Sequence, residues 1–447
     1  MRLRLLLQHR DLVAGAIAQV LQYGAALLLL PLIATHLSPA EIGVWYLFVT
    51  IQALSLLIDF GFQPNIARAF ASAYAGAPEL LHEGVSRSTS TEPNLVLTRH
   101  ILDSAKKLYV ALAGVVLVAL LTGGLWYVTM LGARDAPNVV GIRGAWVIFS
   151  FGIAANLCLL WGPPLLMGFD RVYQNYLFTI ITRGGFAVLG SGALLMGGGL
   201  LSLAIANVLS VLLGAAFLLI ALRPVLTQLK LVAVPETNGI LRSLWYNSSR
   251  TGLVLVGGFL IHRANVLIFS IWLGLTVSAK YAFTLQVVTA AMALAQLPTM
   301  VAIPKMTALR VQGNHAELAR LFLSRHAVLL VTFIVVTAAV GIVGPWALEK
   351  IHSNVSLLPP SIYILLCVVM LLEVNSVNCA YLLSTGNRVP FVISALISGI
   401  AVAGLTLVAI WLGFGLAGAV AAQGIVQLAY NNWKWPLEAW KEIERWT

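Results

Sequence analysis

The sequence predicts an all-α polytopic membrane protein: about twelve transmembrane helices in two six-helix lobes around a central cavity, with both termini cytoplasmic. Three observations predict it. Charged residues make up only 10% of the chain, against about 25% in ordinary soluble proteins, while 60% is hydrophobic. Apolar runs of the roughly 20 residues needed to cross a hydrocarbon core of about 30 Å recur from end to end, which is unlike the alternating strands of a barrel. The basic residues between these runs fall overwhelmingly on one side.

Taken in order, the first run, 12–35, follows MRLRLLLQHR and is too long for the apolar region of a signal peptide, so it is expected to be a permanent span. Gln19 and Gln22 share one of its faces and would suit a sugar-binding wall. The second run, 41–67, closes on LLIDFGFQPNIAR. Trp45 and Tyr46 suit an aromatic anchor at the outer interface, which puts Asp59 about 21 Å and Arg68 about 34 Å further in. An intramembrane carboxylate usually faces a bundle interior or a water-filled path. Gly61 and Pro64 are placed to kink or unwind the segment. Arg68 either snorkels to the inner boundary or stands at a cavity mouth.

The connection 76–107 ends in LVLTRHILDSAKKLYV, where Leu97, Ile101, Leu102 and Leu108 share roughly one helical face beside basic residues, so an interfacial segment on the cytoplasmic surface is expected. Spans over 107–131, 144–168, 173–197 and 200–222 complete an N-terminal six-helix lobe, 1–222. Arg183 lies about 15 Å past the anchor Tyr173. A cytoplasmic linker, 223–249, leads to a second six-helix lobe, 250–447, with spans at 250–273, 277–302, 326–348, 358–384, 389–412 and 415–433.

Arg263 falls about 20 Å beyond Arg250, close to mid-membrane, where an arginine costs about 3 kcal/mol and needs a cavity, a carboxylate or an anionic ligand. Glu373 is equally deep in LLEVNSVNCAYLLSTG, as a proton site, a partner for an arginine, or an interhelical hydrogen-bonding group. The deep acids Asp59 and Glu373 balance the deep arginines Arg183 and Arg263, so two structural ion pairs are an alternative to free cavity charges.

The formal charge of +11 is mostly a topology signal, since the outer segments hold only Arg134, Arg143, Lys280 and Lys350 when the N-terminus is inside. No soluble domain is present to carry a nucleic-acid patch. Cys158, Cys367 and Cys379 all fall within spans and point to no disulfide framework. A shift of about 236 residues aligns LSPAEIGVWYLFVTIQ with LTVSAKYAFTLQ and Pro64 with Pro298, the pattern of two parallel repeats. With no P-loop, metal cluster, nucleophile elbow or long outer loop, neither an enzyme nor a cofactor is expected.

The run LPLIATHLSPAEIGVWYLFVTIQALSLLIDFGFQPNIARAFASAYAGA resembles the first two spans of Wzx-type polysaccharide (O-antigen) flippases, members of the multidrug/oligosaccharidyl-lipid/polysaccharide exporter (MOP) superfamily. The features that carry the resemblance are Leu37-Ser38 ahead of Glu41 and Gly43, the pair Trp45-Tyr46, and the stretch Asp59 to Arg68. The resemblance implies alternating-access transport of an undecaprenyl-pyrophosphate-linked glycan across a bacterial inner membrane, in partnership with a polysaccharide polymerase and a chain-length regulator. It also implies a cationic cavity, a role that falls here to Arg263, then Arg183, with Arg68 or Lys305 near the cytoplasmic mouth. Asp59 would pair with a cavity arginine or bind a coupling proton or cation, with Gly61 and Pro64 as hinge. A drug or small-cation antiporter of the same superfamily is the nearest rival, with Asp59 and Glu373 as its substrate or proton sites. A lipid-sugar enzyme and an assembly scaffold are the more distant ones.

Overall fold

The structure is a computed structural model that describes residues 2–80, 92–232, 239–386 and 391–445. Every described element is helical, with no strand among the described residues. Among the described residues, ten helices are long and apolar enough to cross a membrane, and a bent pair gives an eleventh. The expected twelfth, 415–433, is a helix of only 15 residues that stops at Ala429. The apolar runs therefore all fold as helices, but the last is shorter than its sequence suggests.

The helices form two compact units, Met1–Leu37 with Ile51–Leu255, and Ser38–Thr50 with Val256–Thr447. The division falls inside helices, not at the expected linker. Of that linker, 223–230 continues one helix and 240–249 begins the next, while 233–238 lies outside the described residues.

The first unit contains α1 (Arg2–His36) and the end of α2 (Pro39–Leu56). A single 3-10 turn, Leu57–Asp59, leads from α2 to α3 (Phe62–Tyr74). The next helices are α4 (Leu95–Ala119), α5 (Leu125–Asp135), α6 (Ile142–Cys158), α7 (Gly162–Gly168), α8 (Val172–Thr179), α9 (Gly185–Leu195) and α10 (Leu200–Lys230), followed by most of α11 (Ile240–His262).

The stretch 95–107 is not a separate surface segment. Asn94 caps it by accepting from the Leu97 amide at 3.0 Å, and it runs on as the first turns of α4. Leu97, Ile101, Leu102, Ala105 and Tyr109 are buried against α3, α7 and α10, with Leu108 half-buried, so protein covers the face expected to meet lipid. Residues 81–91 of that connection lie outside the described residues.

The second unit opens with the first turns of α2. Ser38 and Glu41 form a reciprocal capping box: Glu41 Oε2 accepts from the Ser38 amide at 2.9 Å and hydroxyl at 2.8 Å, and the Glu41 amide donates back to Ser38 Oγ at 3.3 Å. Pro39 occupies the first helical position, where its missing N–H costs nothing. A Cβ on Gly43 would stand 2.7 Å from the Leu275 carbonyl oxygen, so this close approach requires glycine. Trp45 and Tyr46, expected at the outer interface, are instead 4% and 7% exposed and belong to the core.

The rest of this unit comprises the last turns of α11, α12 (Ala264–Trp272), α13 (Leu275–Val311), α14 (His315–Lys350), α15 (Pro360–Ser384), α16 (Val392–Trp411), α17 (Gly415–Ala429) and α18 (Asn431–Glu444).

Candidate functional site

Asp59 sits in the break between α2 and α3. The 3-10 turn ends there, and Phe60 and Gly61 follow in left-handed conformations, with φ of 47° and 76°. The backbone breaks at Phe60–Gly61, within the stretch expected to bend, and Pro64 lies outside that break. Pro64 lies in the first turn of α3, where a proline needs no backbone partner. Gly61 is the residue the geometry requires, because a Cβ there would come within 2.6 Å of Thr251 Cβ.

The Asp59 carboxylate accepts the Tyr109 hydroxyl at 2.6 Å and the backbone amides of Gly61 and Gln63. It therefore caps α3 at the end where the helix dipole favours negative charge. Asn65 adds a buried hydrogen bond to Ser248 Oγ at 3.1 Å. Tyr109 was not singled out by sequence, although a hydroxyl on an otherwise apolar stripe signals a buried partner.

Arg183 occupies a wide, π-helical turn, Ile180–Gly184; a second among the described residues is Leu120–Gly124. Such turns interrupt the regular ladder and recur at functional sites. At the second one, Trp146 Nε1 donates to the Leu120 carbonyl at 2.9 Å. Arg183 is exposed, and its Nε donates to Gln22 Oε1 at 3.3 Å. The structure thus brings together two residues chosen independently from α1 and the fifth apolar run. Gln19 is exposed one turn earlier on α1. Arg10 lies over the Tyr173 ring, 3.6 Å from its centroid, on the same pair of segments.

Arg263 occupies the break between α11 and α12, where the axis bends by 41°. Both flanks of the bend are fixed. Gly257 and Gly399 let α11 and α16 touch backbone to backbone, a Cβ on Gly399 meeting the Gly257 carbonyl oxygen at 2.8 Å. Beyond the bend, Asn265 accepts from Thr406 Oγ1 at 3.2 Å. Between these anchors the Arg263 guanidinium is half-buried and has no hydrogen-bond or ion-pair partner among the described residues.

Glu373 is buried on α15, and its neighbour is His262, with Nε2 3.5 Å from Glu373 Oε1. Glu373 Oε2 and His262 Nδ1 are buried with no partner among the described residues. His262 immediately precedes Arg263, a second titratable group that sequence inspection passed over. Asn378, five residues after Glu373 on α15, places its Nδ2 2.7 Å from His326 Nδ1.

The two deep acids are therefore engaged by Tyr109 and His262, and neither deep arginine is paired with an acid among the described residues. The remaining candidates lie elsewhere. Lys305 forms an exposed ion pair with Glu317 at 3.1 Å. Arg68 is exposed on α3, with no side-chain partner among the described residues.

No protein-family model matches the chain, and no curated protein matches it. Solved structures do. A multidrug resistance MATE family transporter of the MOP superfamily, in an inward-facing conformation, is 13% identical and superposes over 98% of both chains with a TM-score of 0.70. An outward-facing conformation of such a transporter is 13% identical, over 98% of this chain and 96% of that one, with a TM-score of 0.59. A MOP superfamily transporter from Pyrococcus furiosus Vc1 (DSM3638), described as having a binding pocket of reverse polarity that suggests a different function, is 14% identical over 98% and 95% of the two chains, with a TM-score of 0.55. The chain shares the fold of these solved structures.

Proposed function

We propose that this protein is a flippase that moves an undecaprenyl-pyrophosphate-linked oligosaccharide from the cytoplasmic to the periplasmic leaflet of a bacterial inner membrane by alternating access. It would serve assembly of a surface polysaccharide, O-antigen or exopolysaccharide, upstream of a polymerase and a chain-length regulator. The observation that carries this reading is the state of the intramembrane charges. Asp59 and Glu373 have local partners, whereas Arg263 has none among the described residues and Arg183 has only the neutral Gln22.

An arginine inside a membrane requires an anion or water, and the planar guanidinium donates two hydrogen bonds at once to a phosphate oxygen pair. Each unit offers one such group at a distortion of its helix, Arg183 at a π turn and Arg263 at a bend. Gln22, held by Arg183, and Gln19 add neutral hydrogen-bonding groups of the kind that suit sugar hydroxyls. Fold neighbours in inward- and outward-facing conformations support an alternating-access cycle.

The second reading is a proton- or cation-coupled drug antiporter, favoured by the multidrug transporters among those neighbours. The two separate in a strain lacking its own undecaprenyl-linked glycan flippase. Wild type restores surface glycan, Arg263→Ala at matched membrane levels does not, and Arg263→Lys, which keeps the charge but loses bidentate donation, is slower by about tenfold or more. Normal surface glycan from Arg263→Ala would remove Arg263 from the site. Failure of wild type in several glycan backgrounds, together with drug export that depends on Asp59 or Glu373, would establish the antiporter instead.

A further inference from the structure

The helix α18 carries two apolar stripes, and the described residues cover one of them. Trp435, Ala439 and Ile443 are buried; α18 packs chiefly on α15, and Ala439 and Ile443 share a core cluster with Cys379 and Leu382 of α15, the end of α13 and the start of α14. Arg310 of α13 fixes this seat by donating to Glu442 Oε1 at 2.7 Å. On the opposite side Trp433, Leu437 and Trp440, spaced i, i+4 and i+7, are 49%, 41% and 52% exposed.

Beside that exposed stripe lie Lys434, Lys441 and Arg445 together with Glu438, and Glu444 stands on the stripe itself. Lys434 is paired with Glu438 at 3.0 Å, which holds the Glu438 carboxyl below the usual carboxylate range and raises the Lys434 ammonium. Lys441 and Arg445 also act on Glu438 electrostatically, but neither makes a side-chain hydrogen bond or close ion pair among the described residues.

Position decides what meets this face. The helix begins just after α17 ends at Ala429, with only Tyr430 between them, so its first turn is tethered where the last apolar helix stops. Tyr430 packs edge-on against Trp433 and Trp435, with centroids 5.8 Å and 6.0 Å away. Tryptophan rings concentrate at headgroup level, and here their indole N–H groups are already engaged, Trp433 donating to the Ala429 carbonyl at 3.2 Å and Trp440 to Glu444 Oε1 at 2.6 Å. A helix with tryptophan and leucine on one stripe and cations beside it lies in the plane of an anionic interface.

We propose that α18 is an in-plane membrane helix, with Trp433, Leu437 and Trp440 seated among the headgroups of the adjoining leaflet and Lys441 and Arg445 binding anionic lipid phosphates. The opposite stripe ties that attachment to α15, with Arg310 of α13 bonded beside it.

The test uses the full chain in nanodiscs of phosphatidylcholine, with or without phosphatidylglycerol. An environment-sensitive fluorophore goes on Leu437→Cys, in a background where Cys158, Cys367 and Cys379 are alanine. The expected result is blue-shifted emission, quenched by spin-labelled lipid and not by aqueous iodide. Quenching by iodide in both lipid mixtures would overturn the proposal, and so would shielding from both quenchers, which would indicate a protein covering the stripe. Native mass spectrometry on the otherwise unaltered chain gives a second measurement. Lys441→Gln and Arg445→Gln each lower retention of phosphatidylglycerol relative to phosphatidylcholine by about fivefold, and retention equal to wild type in both would also overturn it.

Discussion

At the residue scale, Tyr109 and Asp59 carry the sharpest expectation. Removing the hydroxyl in Tyr109→Phe takes one of the donors from a buried carboxylate, a loss of about 1–3 kcal/mol that a thermal melt of the purified protein would detect. Asp59→Asn should cost less in the Tyr109→Phe background than in wild type, because the two residues share one interaction, and additive losses would refute the coupling. Lys305→Ala, by contrast, breaks only an exposed pair and should cost less than about 1 kcal/mol, with surface-glycan rescue unchanged. The deep charged residues were legible in the sequence because charge is conspicuous in an apolar run. Their partners were not. Tyr109 lies fifty positions from Asp59, and Glu373 is more than a hundred from His262, so only the fold could pair them.

At the element scale, the breaks in the spans decide where polar groups can reside. Gly61 and Pro64 looked equivalent as helix breakers, but the structure separates them. Gly61→Ala should lower stability by about 1–3 kcal/mol, since it forces a Cβ into a left-handed residue against Thr251. Pro64→Ala should change it by less than about 1 kcal/mol, since the first helical turn accepts either residue. Comparable losses in both would return Pro64 to the hinge. Span positions were legible because twenty apolar residues have few alternatives to a helix. The π turns at Leu120–Gly124 and Ile180–Gly184 were not, since their composition resembles that of the helices around them. The 95–107 stretch was misassigned for a related reason: an apolar face beside cations looks the same whether lipid or protein covers it.

At the scale of the whole molecule, the hydropathy pattern located the spans, but not the compact units they form. The sequence halves meet in a linker, while the units divide α2 at Thr50 and α11 at Leu255. Each half of the chain therefore supplies a segment to the unit built mainly by the other. Trp245 and Gly252 of α11 pack on Phe60 in the first unit, and Gly43 of α2 sits against Leu275 in the second. The consequence resembles a reciprocal strand exchange between two polypeptides. If the chain were cut within 233–238 and the pieces made separately, each would lack a stretch that completes its own interior, and each should be degraded or aggregate. Made together in one cell, they should rescue each other and co-purify without any covalent link. Independent survival of either piece would show that the exchanged segments are dispensable.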